Sequence, residues 1–362
     1  MIDDAYYMKM AMRLALKARG QTSPNPLVGA VIIKNGKILA KGFHHRCGCD
    51  HAEIDALKNI SSKVKGAMLY VTLEPCGHYG RTPPCVEAII KSGIKHVVIG
   101  TKDPNPVNNG KSIRQLNKAG IKTTVGILKD DLQKMNESFF KFIRHKMPFV
   151  VIKCAQTLDG KVATVTGSSK WITSWKTRDF SHRLRDDFDA ILVGINTVVK
   201  DNPGLNGSSA KKKLKKIILD PQLKISLKAN LFKKTNARDI IIVTASKANR
   251  QKACQFQNKG IQIVSCPTLE GNFNLKWLFR QLALKEITSI LVEGGSKTAG
   301  KILKSGLADK MWFFVAPKII GDQNALSACH GVGIRDVSKA LKLKDVNVQR
   351  VEEDFFIEGY LK

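Results

Sequence analysis

Acidic residues are scarce in this chain: 30 aspartates and glutamates stand against 60 lysines and arginines in 362 residues, a formal charge of +30. Such an imbalance favours anionic partners, nucleic acid first among them. Aromatic residues are also few, at 7%, and none interleaves with the one dense basic run, Lys211-Lys212-Lys213 with Lys215-Lys216. A platform for stacking bases needs that interleaving. The run therefore reads as a solvated loop, and a nucleic-acid partner is not expected. The diffuse positive potential still suits phosphorylated small molecules. No run approaches the roughly 18 apolar residues of a membrane span. The opening Met1-Ile2-Asp3-Asp4 lacks the basic-then-apolar order of a signal peptide, which points to the cytoplasm. Eight unevenly spaced cysteines are too few for a disulfide framework and fit a reducing compartment, where some of them suit metal better. No GxGxxG follows an early strand, so an ordinary dinucleotide-binding Rossmann domain is unsupported.

The chain does carry a concentrated metal pattern between residues 51 and 85. His51-Ala52-Glu53 opens it, Leu73-Glu74-Pro75-Cys76 follows, and Cys85 closes it behind Pro83-Pro84. One imidazole and two thiolates form a three-ligand set for Zn²⁺, with the fourth tetrahedral position left for water. Glu53, two residues past the histidine, stands where a zinc-held water needs a proton shuttle. A structural zinc would demand a fourth protein ligand and would leave Glu53 without a role. A histidine or cysteine in apolar surroundings is usually plain core, yet this order is that of the zinc deaminases. Cys47 and Cys49 offer a rival set, but they crowd three ligands into a very short loop and ignore Glu53. The stretch 77–84, glycine-rich and polar, is read as reaching substrate.

The coarse pattern supports two domains, 1–146 and 147–362, since the length is more than one core needs. Helical spacing covers 4–18, strands are expected at 27–33 and 38–43 around an Asn35-Gly36 turn, and further strands at 67–73, 97–101 and 123–127. Helices between these strands imply a sheet covered on both faces, a three-layer αβα domain. The second half restarts with strands at 149–154, 190–194, 217–219, 240–244, 261–264, 289–293 and 311–316. Helices near 177–185, 277–284 and 298–303 intervene, predicting a mostly parallel sheet with crossovers. Val292-Glu293-Gly294-Gly295-Ser296-Lys297 runs from strand to glycines to helix, an arrangement that lets a pyrophosphate approach free backbone N–H groups.

The Cys76-to-Cys85 spacing, together with Asn25-Pro26-Leu27-Val28-Gly29, Asp103-Pro104-Asn105-Pro106, Leu158-Asp159-Gly160, Trp171-Ile172-Thr173 and Val292-Glu293-Gly294-Gly295, resembles the bifunctional deaminase–reductase family of riboflavin biosynthesis over nearly the whole chain. The resemblance implies an α/β protein with an N-terminal cytidine-deaminase-like domain followed by a dihydrofolate-reductase-like domain, active as a homo-oligomer. Its implied chemistry is zinc-hydroxide deamination of 2,5-diamino-6-(5-phosphoribosylamino)pyrimidin-4(3H)-one, then NADPH-dependent reduction of the ribosyl chain to a ribityl chain. Glu53 is the implied catalytic residue, with His51, Cys76 and Cys85 on zinc and Asn25, His44, His78 and Arg81 on the first substrate. Implied NADPH contacts are Ala155, Trp171, Thr197, Asp201, Thr244, Gly295, Ser296, Lys297, Thr298, Ala299, Gly300 and Lys301. Ser169, Arg185, Leu205, Ser208 and Glu293 take the implied reductase-substrate positions. Two departures stand out: Ser208 replaces an arginine, for which Lys211 to Lys213 could substitute, and Ser112 replaces a second glycine in the loop after Asn105-Pro106. A nucleic-acid (tRNA-type) base deaminase with a C-terminal accessory domain is the main alternative. A zinc-stabilised RNA-binding protein is a more distant one.

Overall fold

The computed structural model describes residues 3–60, 64–80, 83–209, 213–246 and 248–361. The chain divides into two compact units, Met1–Lys146 and Met147–Lys362.

The first unit runs α1 (Asp4–Leu16), β1 (Gly29–Lys34), β2 (Lys37–Phe43), α2 (Ala52–Lys58), β3 (Met68–Leu73), α3 (Cys85–Ser92), β4 (His96–Thr101), α4 (Lys111–Lys118), β5 (Lys122–Val125), α5 (Lys129–Met135) and α6 (Glu137–His145). Its strands lie in the order β2-β1-β3-β4-β5. The β1–β2 and β1–β3 pairs are antiparallel, and β3, β4 and β5 are parallel. Both faces are covered, and the period of two along each strand shows how. Val31, Ile33, Tyr70 and Val98 meet Tyr7, Met8, Ala11 and Leu14 of α1 and Leu132 of α5. Their neighbours Ala30, Ile32, Leu69, Val71, Val97 and Ile99 turn the other way, onto Ala56 of α2, Val86 and Ile89 of α3 and Leu116 of α4. Strands buried on both faces need continuous apolar runs, which is what the three central strands carry.

One glycine sets how closely α2 lies on the sheet. A Cβ at Gly42 of β2 would fall 2.3 Å from the Ala56 nitrogen and 2.4 Å from the Ala52 carbonyl oxygen. Only a residue without a side chain lets that helix, and the His51 that precedes it, seat at this depth.

The second unit runs β6 (Phe149–Thr157), β7 (Lys161–Ala163), α7 (Trp175–Leu184), β8 (Ala190–Gly194), α8 (Ile195–Asp201), β9 (Lys215–Leu219), α9 (Asn230–Lys233), β10 (Ile240–Ala245), α10 (Arg250–Gln257), β11 (Gln262–Cys266), the short pair β12 (Thr268–Leu269) and β13 (Asn272–Phe273), α11 (Leu275–Leu284), β14 (Ser289–Glu293), α12 (Ser296–Lys304), β15 (Lys310–Ala316), β16 (Leu326–Ser327), β17 (Leu343–Val351) and β18 (Asp354–Leu361). Nine strands form one sheet in the order β11-β10-β9-β8-β14-β6-β15-β18-β17. It is parallel from β11 to β15 and ends in antiparallel β18 and β17. Alternation again serves two cores. Val151, Ile191, Ile218 and Leu291 face Phe256 of α10 and Val198 of α8, while Val150, Ile152, Leu192 and Val292 face Leu278 and Phe279 of α11 and Ile302 of α12.

The expected α/β architecture of each unit is present. The expectation stopped at Ala316, however, and missed β17 and β18. β17 is an edge strand exposed along nearly its whole length; Val346 and Val348 alternate with polar residues, but the register shift between Lys344 and Asn347 breaks the period of two that would announce a strand. No helix of the described residues is long and apolar enough to cross a membrane.

Candidate metal centre and reductase site

His51 is the residue before α2, Cys76 lies in the turn that leaves β3, and Cys85 is the first residue of α3. Three elements distant in sequence thus deliver three donors to one place. His51 Nδ1 lies 3.3 Å from Cys85 Sγ and 3.4 Å from Cys76 Sγ, and the three ligand atoms all lie within 4.8 Å of one another. Around a tetrahedral zinc at ordinary bond lengths, nitrogen and sulfur ligands stand about 3.6 Å apart. The donor set fits the ion with little adjustment. Among the described residues no fourth His, Cys, Asp or Glu belongs to the cluster.

Electrostatics prepare the set for metal. Hydrogen bonds from the Cys85 thiol, from His51 and from the Cys85 backbone N–H hold the Cys76 thiol down at about 4, against the opposing effect of burial. That N–H, at the start of α3, lies 3.3 Å from the Cys76 sulfur, and a helix N-terminus favours thiolate. The Cys85 thiol is pushed up by its hydrogen bond to Cys76 and by its burial. Glu53 is 3% exposed on α2. Burial first, and then the Cys76 thiolate, raise its carboxyl to about 7, the range in which a group can both take and give a proton near neutrality.

Of the expected substrate contacts, His44 and Asn25 come together beside the donors. His44 is 2% exposed, its Nδ1 lies 2.9 Å from the Asp50 carbonyl oxygen, its Nε2 lies 3.1 Å from Asn25 Nδ2, and its ring meets that of His51 edge-on at 5.4 Å. Both of its nitrogens are engaged, and burial pulls its pKa down. This is the environment of a neutral imidazole that orients the Asn25 amide, so a direct phosphate contact by His44 is not its geometry. His78 follows in the Cys76 turn, with a buried Nδ1 that has no partner among the described residues. Arg81, like Lys211 and Lys212, lies outside the described residues. Cys47 and Cys49 do not join the metal cluster.

In the second unit, Arg185 and Glu293 form a bidentate pair: Nε to Oε1 at 2.7 Å and Nη2 to Oε2 at 2.8 Å. Although burial alone would raise it, Glu293 is held down at about 2 by the Arg185 guanidinium and by Lys153. Lys153 went unnoticed in the sequence. It interrupts the apolar run of β6, its pKa is lowered by burial, and its ammonium lies 5.5 Å from the centre of the Phe314 ring. A lysine in an otherwise buried strand was the signal that could have found it.

Arg185 Nη1 also donates to the Asn206 carbonyl at 2.7 Å, and Lys216 Nζ donates to Asn206 Oδ1 at 2.9 Å. Leu205 places its side chain in the core, and Ser208 is exposed. Ser169 is half-buried.

Around the expected cofactor loop, Gly294 and Gly295 have φ of 92° and 73°. A Cβ on Gly294 would come within 2.9 Å of Thr197, and one on Gly295 within 3.2 Å of Thr298 Oγ1. Thr197, Gly295 and Thr298 are therefore one cluster at the start of α12. Ser296 Oγ donates to the Ser327 carbonyl and accepts from the His330 N–H at 3.1 Å. Ala299 lies in the core, and Gly300 packs against the His330 carbonyl, where a Cβ would fall 1.9 Å from the oxygen. These two support the helix rather than face a ligand. Lys297 and Lys301 are exposed on α12, and Asp201 is exposed at the end of α8. Ala155 lies on β6 next to Cys154, and Thr244 is buried near the end of β10. Trp171 is exposed beneath the Arg178 guanidinium, 4.2 Å from its ring centre.

Residues 1–101 match the cytidine and deoxycytidylate deaminase zinc-binding region, and residues 148–357 match the RibD C-terminal domain. The riboflavin biosynthesis protein RibD of Aquifex aeolicus is 45% identical over 356 residues, 98% of this chain and 97% of the relative. RibD of Escherichia coli is 34% identical over 372 residues, covering 98% of each chain. Among solved structures, Acinetobacter baumannii RibD superposes with a TM-score of 0.89 at 33% identity over 99% of both chains. A diaminohydroxyphosphoribosylaminopyrimidine deaminase/5-amino-6-(5-phosphoribosylamino)uracil reductase from Thermotoga maritima gives 0.87 at 37% identity, also over 99% of both.

Proposed function

The chain belongs to the RibD family of bifunctional riboflavin-biosynthesis enzymes, and we propose how its own side chains divide the work of deaminase and reductase. In the first unit, His51, Cys76 and Cys85 would hold zinc. When bound, zinc makes water nucleophilic near neutrality. Glu53 would take the water's first proton and hand it to the ring nitrogen, then take the second from the added hydroxyl as the carbonyl forms and hand it to the departing amine, so that water is consumed and ammonia leaves. The substrate is the diaminopyrimidinone ribosyl phosphate of the resemblance. Asn25, oriented by His44, pairs with the pyrimidine edge, while His78 reaches towards the phosphate.

In the second unit, the turn at Gly294-Gly295 and the first turn of α12 would hold NADPH. Bound NADPH supplies the hydride that reduces C1′ of the opened ribose. The Arg185–Glu293 pair orients the substrate, and Lys153 holds a buried positive charge beside it. Arg185 and Lys216, both bonded to Asn206, are cations flanking the loop in which Ser208 stands. Homo-oligomer formation and a cytoplasmic setting belong to the same reading. A nucleic-acid base deaminase would account for the first unit alone and would leave residues 148–357 without a purpose.

The carrying observation is the three-donor set with a buried carboxylate two residues past its histidine. One assay tests both halves: diaminopyrimidinone ribosyl phosphate and NADPH are supplied together, and ammonia release and NADPH oxidation are followed separately. Stoichiometric ammonia followed by NADPH loss is expected. Zinc-loaded protein that releases no ammonia overturns the deaminase reading, and ammonia without NADPH oxidation overturns the reductase reading.

A further inference from the structure

The loop between β4 and α4 grips the turn that carries Cys76 from both sides. Asn108, 1% exposed, spans the cysteine with a single carboxamide: its Nδ2 donates to the Pro75 carbonyl at 3.0 Å, and its Oδ1 accepts from the Gly77 N–H at 3.1 Å. The backbone groups immediately before and after the ligand are thereby fixed much as a neighbouring strand would fix them. The loop is in turn locked to the end of β3 by Glu74, 3% exposed. The Glu74 carboxylate accepts from the Asp103 N–H at 3.1 Å, from the Gly110 N–H at 2.8 and 2.9 Å, and from Ser112 Oγ at 2.5 Å. Asn108 Nδ2 also lies 3.2 Å from Asp103 Oδ2. A buried carboxylate met by several N–H and O–H donors is a strong and directional anchor. Ser112, which stands where the resembling family has glycine, supplies one of those donors.

We propose that Asn108, held in place by Glu74 and Ser112, is a positioning residue for the deaminase: it sets where the Cys76 thiolate stands relative to His51 and Cys85. The inference rests on the reading of that trio as the zinc site. The same grip fixes the backbone at Gly77, which leads directly into His78, so loosening it disturbs a ligand and a candidate substrate contact together. Partners that orient metal ligands commonly change metal affinity by about 10–100-fold when removed.

The test uses the full chain with Asn108→Ala and Ser112→Gly. Zinc affinity is measured by chelator competition, ligand geometry by the thiolate-to-metal absorption of the cobalt-loaded protein, and turnover by ammonia release. NADPH oxidation with the deaminated substrate controls for the second unit, and the thermal unfolding transition of the zinc-free chain, compared with wild type, reports whether the first unit is folded. Asn108→Ala is expected to weaken zinc by about 10–100-fold, to shift the cobalt band and to lower kcat for ammonia release, with NADPH oxidation unchanged. Ser112→Gly removes one donor and is expected to move zinc affinity the same way by a smaller factor. Wild-type zinc affinity and cobalt spectrum in Asn108→Ala overturn the proposal. Should that variant not accumulate as folded protein, the same indifference in Ser112→Gly overturns it. Wild-type protein that fails to bind zinc or release ammonia removes the deaminase reading itself, whereas an active wild type with indifferent variants removes only this inference.

Discussion

Glu53 is the candidate proton carrier of the deaminase: it is buried on α2 two residues past the first donor, and burial raises its carboxyl to about 7. Glu53→Gln keeps the shape but cannot carry a proton. Zinc content measured by metal analysis should stay at the wild-type level, while ammonia release falls by at least about 100-fold, the usual contribution of a general acid–base group. In the second unit the corresponding residue is Glu293. Its folded-state carboxyl sits at about 2, below an ordinary value of 4.5, so the Arg185 pair stabilises the fold fully above the ordinary value. That stability drains away as pH falls from 4.5 towards 2. Denaturant unfolding of wild type across this window should lose stability, and Glu293→Gln should show a flatter profile. At neutral pH the variant should be less stable by roughly 3–5 kcal/mol, the cost of leaving a buried cation unpaired. A wild-type profile with no slope there would contradict the pairing.

The helix α2 and strand β2 form the next scale, since together they decide where His51 stands. Gly42→Val would drive methyl groups into the α2 backbone at a position where even a Cβ falls 2.3 Å from the Ala56 nitrogen. Overpacking of this kind costs about 1–3 kcal/mol or more. It should also lift the first turn of α2 and with it His51, so the variant is expected to lose zinc affinity beyond what its lowered stability explains. Chelator competition performed well below the unfolding midpoint separates the two effects. The elements that position donors were legible in the sequence because each has a clear local signature. Cys85 opens the apolar helix through Ile89, and the run before Leu73 is a doubly buried strand. β17 was harder to read, because the register shift between Lys344 and Asn347 breaks its period of two and leaves only Val346 and Val348 alternating on an exposed edge.

At the scale of the whole molecule, two compact units carry two activities. Removing zinc with a chelator should abolish ammonia release while NADPH oxidation with the deaminated substrate persists. Loss of both on chelation would show that the second unit also depends on the metal. The charge of +30 belongs to this scale too. It raises the local concentration of phosphorylated ligands through a long-range field that salt screens, and it carries no information about which ligand is bound. Residue types and their order were enough to mark the candidate metal donors and the carboxylate near them and to give the α/β class of both units, because ligand chemistry and strand or helix periodicity are local properties of a chain. The partners of buried polar groups were decided only in three dimensions. Asn108 meets Pro75 across 33 residues, and Arg185 meets Glu293 across 108. A buried amide or carboxylate must find its partners wherever the fold places them, and no spacing along the sequence encodes that meeting.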